Sequence, residues 1–155
     1  MKQERLLAGL ALAVGLGMAA PTDVVAQDEE EASPIVQYRQ SLMDAFRTHM
    51  GGVRAALEET APLGHAQYHA ESFERMALAL ADAFPDNTAG PGSRALPAIW
   101  SDHADFMDKV TAIQTATTEL VAASRTGDPA LIQPALQAVQ RTCGGCHDTY
   151  RAEAN

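Results

Sequence analysis

Apolar residues recur along this chain at spacings of three, four and seven, a period that predicts helices. The first stretch opens at Ser33-Pro34, a capping residue with proline at the first helical position, and runs toward Glu59. Val36, Met43, Met50 and Leu57 stand seven apart, with Arg39, Phe46 and Val53 interleaved three residues on, so one arginine interrupts an apolar seam. Gly51-Gly52 each cost about 1 kcal/mol relative to alanine inside a helix, which predicts a bend or a frayed point there. A second stretch, from about Gly64 to Phe84, places Ala66, Ala70, Phe73, Ala77, Leu80 and Phe84 on one face. The Pro- and Gly-rich run from Pro85 to Arg94 reads as a loop.

The third stretch, Pro97 to Arg125, carries Ile99, Phe106, Ile113 and Leu120 at seven-residue intervals, with His103, Val110 and Thr117 between them, and Gly127 ends it. The fourth begins at Asp128-Pro129 and carries Ile132, Leu136, Val139, Cys143, Cys146 and Tyr150 at alternating spacings of four and three. Pro134 in its second turn predicts a late start or a kink. Four amphipathic helices with three connections predict an all-α, antiparallel up-down-up-down four-helix bundle, in which a cofactor lies between facing helices.

The amino terminus follows a different pattern. Lys2 and Arg5 precede an apolar run from Leu6 to Ala20 and then Val24-Val25-Ala26, which reads as a signal peptide over residues 1–26 cut after Ala26. The competing reading, a retained anchor, fits poorly with so short and glycine-rich a run. The mature protein is then expected in the periplasm, without a membrane association. Residues 27–33, with Asp28-Glu29-Glu30-Glu31, read as a disordered acidic lead-in, and 34–155 as one helical domain. Net charge is −9, and losing Lys2, Arg5, Glu4 and Asp23 leaves it there, with Lys109 the last lysine. No basic stripe exists for nucleic acid, so a basic redox partner protein or a small neutral ligand is the better match.

Two cysteines in an exported chain ordinarily suggest a disulfide. Here Cys143-Gly144-Gly145-Cys146-His147 gives C-x-x-C-H, the pattern of covalent haem c attachment. On a helix these three side chains share a face, so both thiols can join one porphyrin and the His147 imidazole can bind its iron. A thioredoxin-like site needs a strand beside the helix, and a closed zinc site needs a second pair of ligands; the pattern offers neither. Arg151, four residues after His147, is expected one turn along the same face. Spacing alone fits equally a group over the haem edge and a solvated terminal residue.

Tyr38-Arg39-Gln40-Ser41-Leu42-Met43, Leu96-Pro97-Ala98-Ile99-Trp100-Ser101-Asp102 and Cys143 to Arg151 together resemble the cytochrome c′ family across the mature chain. The resemblance implies a haem iron bound by His147, with Met43 covering the opposite side in place of a ligand. It also implies Arg39 near the propionates, Arg151 as the proximal arginine, and a homodimer through the first two helices. Pro134 and Gly51-Gly52 depart from the family's pattern.

The leading expectation is a five-coordinate haem protein that carries one electron and binds a diatomic gas, nitric oxide or carbon monoxide. The alternative is a six-coordinate, low-spin electron-transfer cytochrome with Met43 or Met50 as the second axial ligand. Catalysis as a weak peroxidase has little support, because His49, His65, His69 and His103 read as surface or satisfied core groups. The chain is therefore not expected to be an enzyme, and Met76, Met107 and Trp100 read as packing.

Overall fold

The computed structural model describes residues 31–86 and 88–153. Ser33 holds an extended backbone and α1 (Pro34–Leu57) starts with proline at its first position, as the sequence predicts. The proposed signal peptide and residues 27–30 of the acidic lead-in lie outside the described residues. At the end of the lead-in, the Ala32 carbonyl accepts a 2.7 Å hydrogen bond from Gln37 Nε2, which ties this residue to α1.

Four expectations about helix ends need correction. First, α1 remains helical through Gly51-Gly52, so the pair is not a frayed point. Packing against α2 overrides the low helix propensity of the pair. Second, α2 (His65–Leu78) stops short of Phe84, and its apolar face continues through a 3₁₀ turn at Ala81–Ala83 that keeps Leu80 and Ala83 buried.

Third, the Pro97–Arg125 stretch divides into α3 (Ala98–Ser101) and α4 (His103–Arg125) at Asp102, whose φ of −123° and ψ of 53° leave the helical region. The break lets Ile99 and Phe106 stay buried while His103 turns outward. Fourth, α5 (Pro129–Tyr150) starts at its first proline and runs through Pro134, so the late start does not occur. Pro134 removes the donor to the Ala130 carbonyl, but both residues are exposed, so water can replace that bond.

The other boundaries follow the sequence. The Asp128 carboxylate accepts from Ala130 N at 2.9 Å, satisfying an open donor of the first turn of α5. Gly127, at φ +67°, takes the left-handed conformation that ends α4 and that a side chain would strain.

The long helices α1, α2, α4 and α5 form a ring in which α1 packs on α2, α2 on α4, α4 on α5 and α5 back on α1. Their buried faces supply Val53, Phe73, Phe106, Leu120, Ile132 and Val139, so the four-helix bundle is the observed architecture. Small residues on α2, Ala66, Ala70 and Ala77, let its neighbours approach closely, and Phe73 stacks on Phe46 of α1 with ring centroids 4.8 Å apart. Full burial of a side chain such as Phe73 contributes roughly 1.5–3 kcal/mol. Among the described residues no helix is long and apolar enough to cross a membrane.

Candidate haem site

The inward face of α5 changes character along its length. Ile132, Leu136 and Val139 are fully packed, whereas Cys143, Cys146 and His147, one and two turns further on, are only half-buried. They open on a cavity of about 490 Å³ at one end of the bundle. That volume lies within the roughly 300–1,000 Å³ of small-molecule and cofactor sites. α1 lines the cavity with Val36, Arg39, Met43, Phe46 and Met50, α2 with Phe73, and α4 with Phe106, Lys109 and Ile113. The cavity thus joins both thiols and the imidazole with Met43, Arg39 and Arg151, all six residues singled out in the sequence.

The protonation states suit a metal-binding macrocycle. Burial and nearby cations, Arg151 and Arg94, lower the His147 pKa, favouring the neutral imidazole that ligates iron. Burial raises both thiols, so they are held as S–H at neutral pH. Tyr150 closes the floor behind them: its hydroxyl donates to Asp105 Oδ2 at 2.6 Å, and its ring meets Phe106 edge-on at 5.4 Å. Burial and Asp105 push that phenol well above its usual range.

Arg39 does more than the seam suggested. It is 6% exposed, and its guanidinium donates to the Ala83 carbonyl (2.9 Å), the Thr88 carbonyl (3.2 Å), Ser93 Oγ (3.1 Å) and Thr88 Oγ1 (2.7 Å). It also lies 4.3 Å from the Phe84 ring centre. The charge in the apolar seam therefore clamps the loop between α2 and α3 to α1, while still lining the cavity. Trp100 pins the same loop by donating to the Pro85 carbonyl at 2.9 Å.

Arg151 needs correction. It is not one turn further along α5 but its C-terminal cap, with extended backbone, bridged to Ala95. Leu96 N donates to the Tyr150 carbonyl and Ala152 N to the Arg94 carbonyl, so the α2–α3 loop draws the chain out of the helix. Arg151 reaches the cavity from that bridge.

Sequence reasoning missed the charge pattern at the cavity. Among the described residues, Arg39, Arg47, Arg94, Lys109 and Arg151 all line it, against one carboxylate, Asp44, which is paired with Arg47 at 2.7 Å. In a chain of net charge −9 this concentration of cations fits a ligand carrying carboxylates, as haem does through its propionates. The four other histidines, His49, His65, His69 and His103, do not line the cavity. Trp100, Met76 and Met107 pack against the core, as expected.

The family model for cytochrome c′ matches residues 34–151, which takes in every helix and the whole cavity. The chain belongs to the cytochrome c′ family. Cytochromes c′ carry covalently attached haem c and act in electron transport, and the donor set on α5 fits that cofactor. A cytochrome c′ from Rhodospirillum rubrum is 34% identical over 155 residues, covering 99% of this chain and all of the relative. Among solved structures, cytochrome c′ from Rubrivivax gelatinosus is 31% identical with a TM-score of 0.71, covering 79% of this chain and 98% of its own. The nitric oxide complex of a mutant of cytochrome c prime from Alcaligenes xylosoxidans is also 31% identical with a TM-score of 0.71, covering 77% and 94%.

Proposed function

We propose that this cytochrome c′ is a periplasmic electron carrier whose haem iron has one axial ligand from the protein and takes up nitric oxide or carbon monoxide on the other side. The observation that carries this reading is the make-up of the cavity wall: His147 is the sole imidazole among the described residues lining it, and α1 contributes Val36, Met43, Phe46 and Met50 beside the polar Arg39, Gln40, Asp44 and Arg47, none of them an imidazole. In this reading Cys143 and Cys146 are the thioether anchors, and His147 is the axial ligand and sole protein metal ligand. Met43 covers the open side, and Arg39 and Arg151 hold the propionate end together with Arg94 and Lys109. The bound haem supplies an iron that exchanges one electron and accepts a small axial ligand. Met43 then acts as a steric filter, since any incoming molecule must displace an uncharged, flexible side chain before it binds. The nitric oxide complex of the Alcaligenes xylosoxidans relative supports the choice of ligand. The signal-peptide pattern read in residues 1–26 supports export, the net charge of −9 a basic redox partner, and the family resemblance a homodimer through α1 and α2.

One observation favours a second reading. Met43 and Met50 both line the cavity, and either thioether sulfur is a competent axial ligand that would give a low-spin electron carrier. Visible spectra of the purified protein, ferric and ferrous, with and without carbon monoxide, separate the two. A high-spin spectrum that changes on carbon monoxide addition is expected. A low-spin spectrum insensitive to the gas overturns the five-coordinate reading in favour of methionine ligation.

A further inference from the structure

Two histidines that the haem site leaves unused meet across the α1–α2 interface. His49 and His69 bring their Nδ1 atoms to 3.1 Å, with ring planes tilted by 56° and centroids 5.3 Å apart. Both are half-buried, so one edge of the pair stays open to solvent. The His69 ring lies against α1 at Gly52, where an added Cβ would fall 2.3 Å from Nε2 and 2.4 Å from two ring carbons. Only glycine at 52 admits this ring position. The contact turns Nε2 toward the α1 backbone and leaves Nδ1 to face His49. About one helical turn away on both helices, the Phe46–Phe73 stack fixes the spacing between α1 and α2.

We propose that His49 and His69 form a binding site for one divalent transition-metal ion such as Cu²⁺, separate from the haem, with water completing the coordination. The geometry is close to what such an ion needs. Metal–nitrogen bonds of about 2.0–2.1 Å to two nitrogens at this separation give an N–metal–N angle of roughly 100°, between the square-planar and tetrahedral values. The rings now point at one another as in an N–H···N bond. Swinging both onto a common ion closes the centroids by roughly half an ångström, a small side-chain rotation. With His49 Nδ1 carrying the shared proton of the neutral pair, ion binding moves it to His49 Nε2 through solvent, away from the packed Nε2 of His69, so both imidazoles stay neutral. Burial and the neighbouring His69 lower the His49 pKa, which keeps that ring in the ligating form near neutral pH.

The test is a calorimetric titration of the ferric, haem-loaded full chain with Cu²⁺ at pH 7.5, joined to electron paramagnetic resonance of the bound copper. One equivalent is expected, with hyperfine structure from two imidazole nitrogens and no change in the haem absorption bands. His49→Gln and His69→Gln should each weaken binding about a hundredfold, the scale on which linked ligands exceed single ones. Gly52→Ala, which keeps both histidines but displaces the His69 ring, should weaken it similarly, whereas His65→Gln should leave it unchanged. Circular dichroism and haem spectra like those of the unaltered protein show that each variant is folded. The proposal is overturned if the unaltered protein binds no copper, if affinity survives in His49→Gln and His69→Gln, or if the loss appears in His65→Gln instead.

Discussion

Replacing Arg39 with leucine tests whether this side chain is chiefly a clamp on the α2–α3 loop. Four donations leave its guanidinium, and each hydrogen bond to a charged group is worth roughly 1.5–3 kcal/mol net. Their simple sum would rival the stability of a whole domain, so they cannot be additive. Two effects reduce it. Burial of the cation is itself unfavourable, as its lowered pKa records. After the substitution, half-buried Thr88 and Ser93 can take water in its place. The Ala83 carbonyl, on a residue with no exposed surface, cannot, and one unsatisfied acceptor costs about 1–3 kcal/mol. The expected loss for Arg39→Leu is therefore about 2–3 kcal/mol, or roughly 10 °C in Tm for a domain of this size. Arg39→Lys offers three donors at one point instead of a planar fork, and should restore no more than about half of that. Urea denaturation of the haem-loaded protein, with thermal melts alongside, reads both. A loss below about 0.5 kcal/mol for Arg39→Leu, or full restoration by lysine, would refute the clamp.

Three further outcomes follow from other parts of the bundle. Met43→Ala should raise carbon monoxide affinity about tenfold or more, equivalent to removing about 1.4 kcal/mol of steric work; equilibrium titration of the ferrous protein checks it, and unchanged affinity removes Met43 as the cover. Phe73→Ala deletes a ring with no exposed surface that stacks on Phe46, and should cost about 3–5 kcal/mol in urea denaturation, a value under about 1.5 kcal/mol contradicting its central place in the core. His49 has a folded-state pKa below its ordinary 6.5, so the unfolded chain binds the extra proton first as pH falls. Its contribution to stability is complete above pH 6.5 and is lost as pH drops from there through the folded pKa. His49→Gln should flatten the stability curve over that window, and an identical slope in both proteins would show that this histidine is not perturbed.

What the sequence revealed and what it hid divide along contact range. The four long helices were legible because apolar periodicity, proline starts and the glycine stop at Gly127 are local signals. The break at Asp102 was not. A seven-residue repeat runs unbroken from Ile99 through Phe106, and only the meeting of α3 with its neighbours shows that His103 drops out of phase. Pro134 failed in the opposite direction: its local cost was read correctly, but it falls on the exposed side of α5, where water can replace the missing bond. Gly51-Gly52 read as a weak point because the partner that requires Gly52 is His69, seventeen residues away on another helix.

The site follows the same rule. Cys143, Cys146 and His147 lie within two turns of one helix, so their convergence is fixed by helical geometry alone and a five-residue motif suffices to find it. Arg151 is only four residues further, yet its position is decided by a bridge to Ala95, more than fifty residues earlier, and helical extrapolation fails at the first residue under long-range control. Arg47, Arg94 and Lys109 join it from α1, the α2–α3 loop and α4. None of the three belongs to a basic run, and the acidic balance of the whole chain points away from them. An attachment motif thus states which cofactor is held, whereas the charges that line its cavity come from tertiary structure, and they are the part of the site that evolution or design can alter without touching the motif.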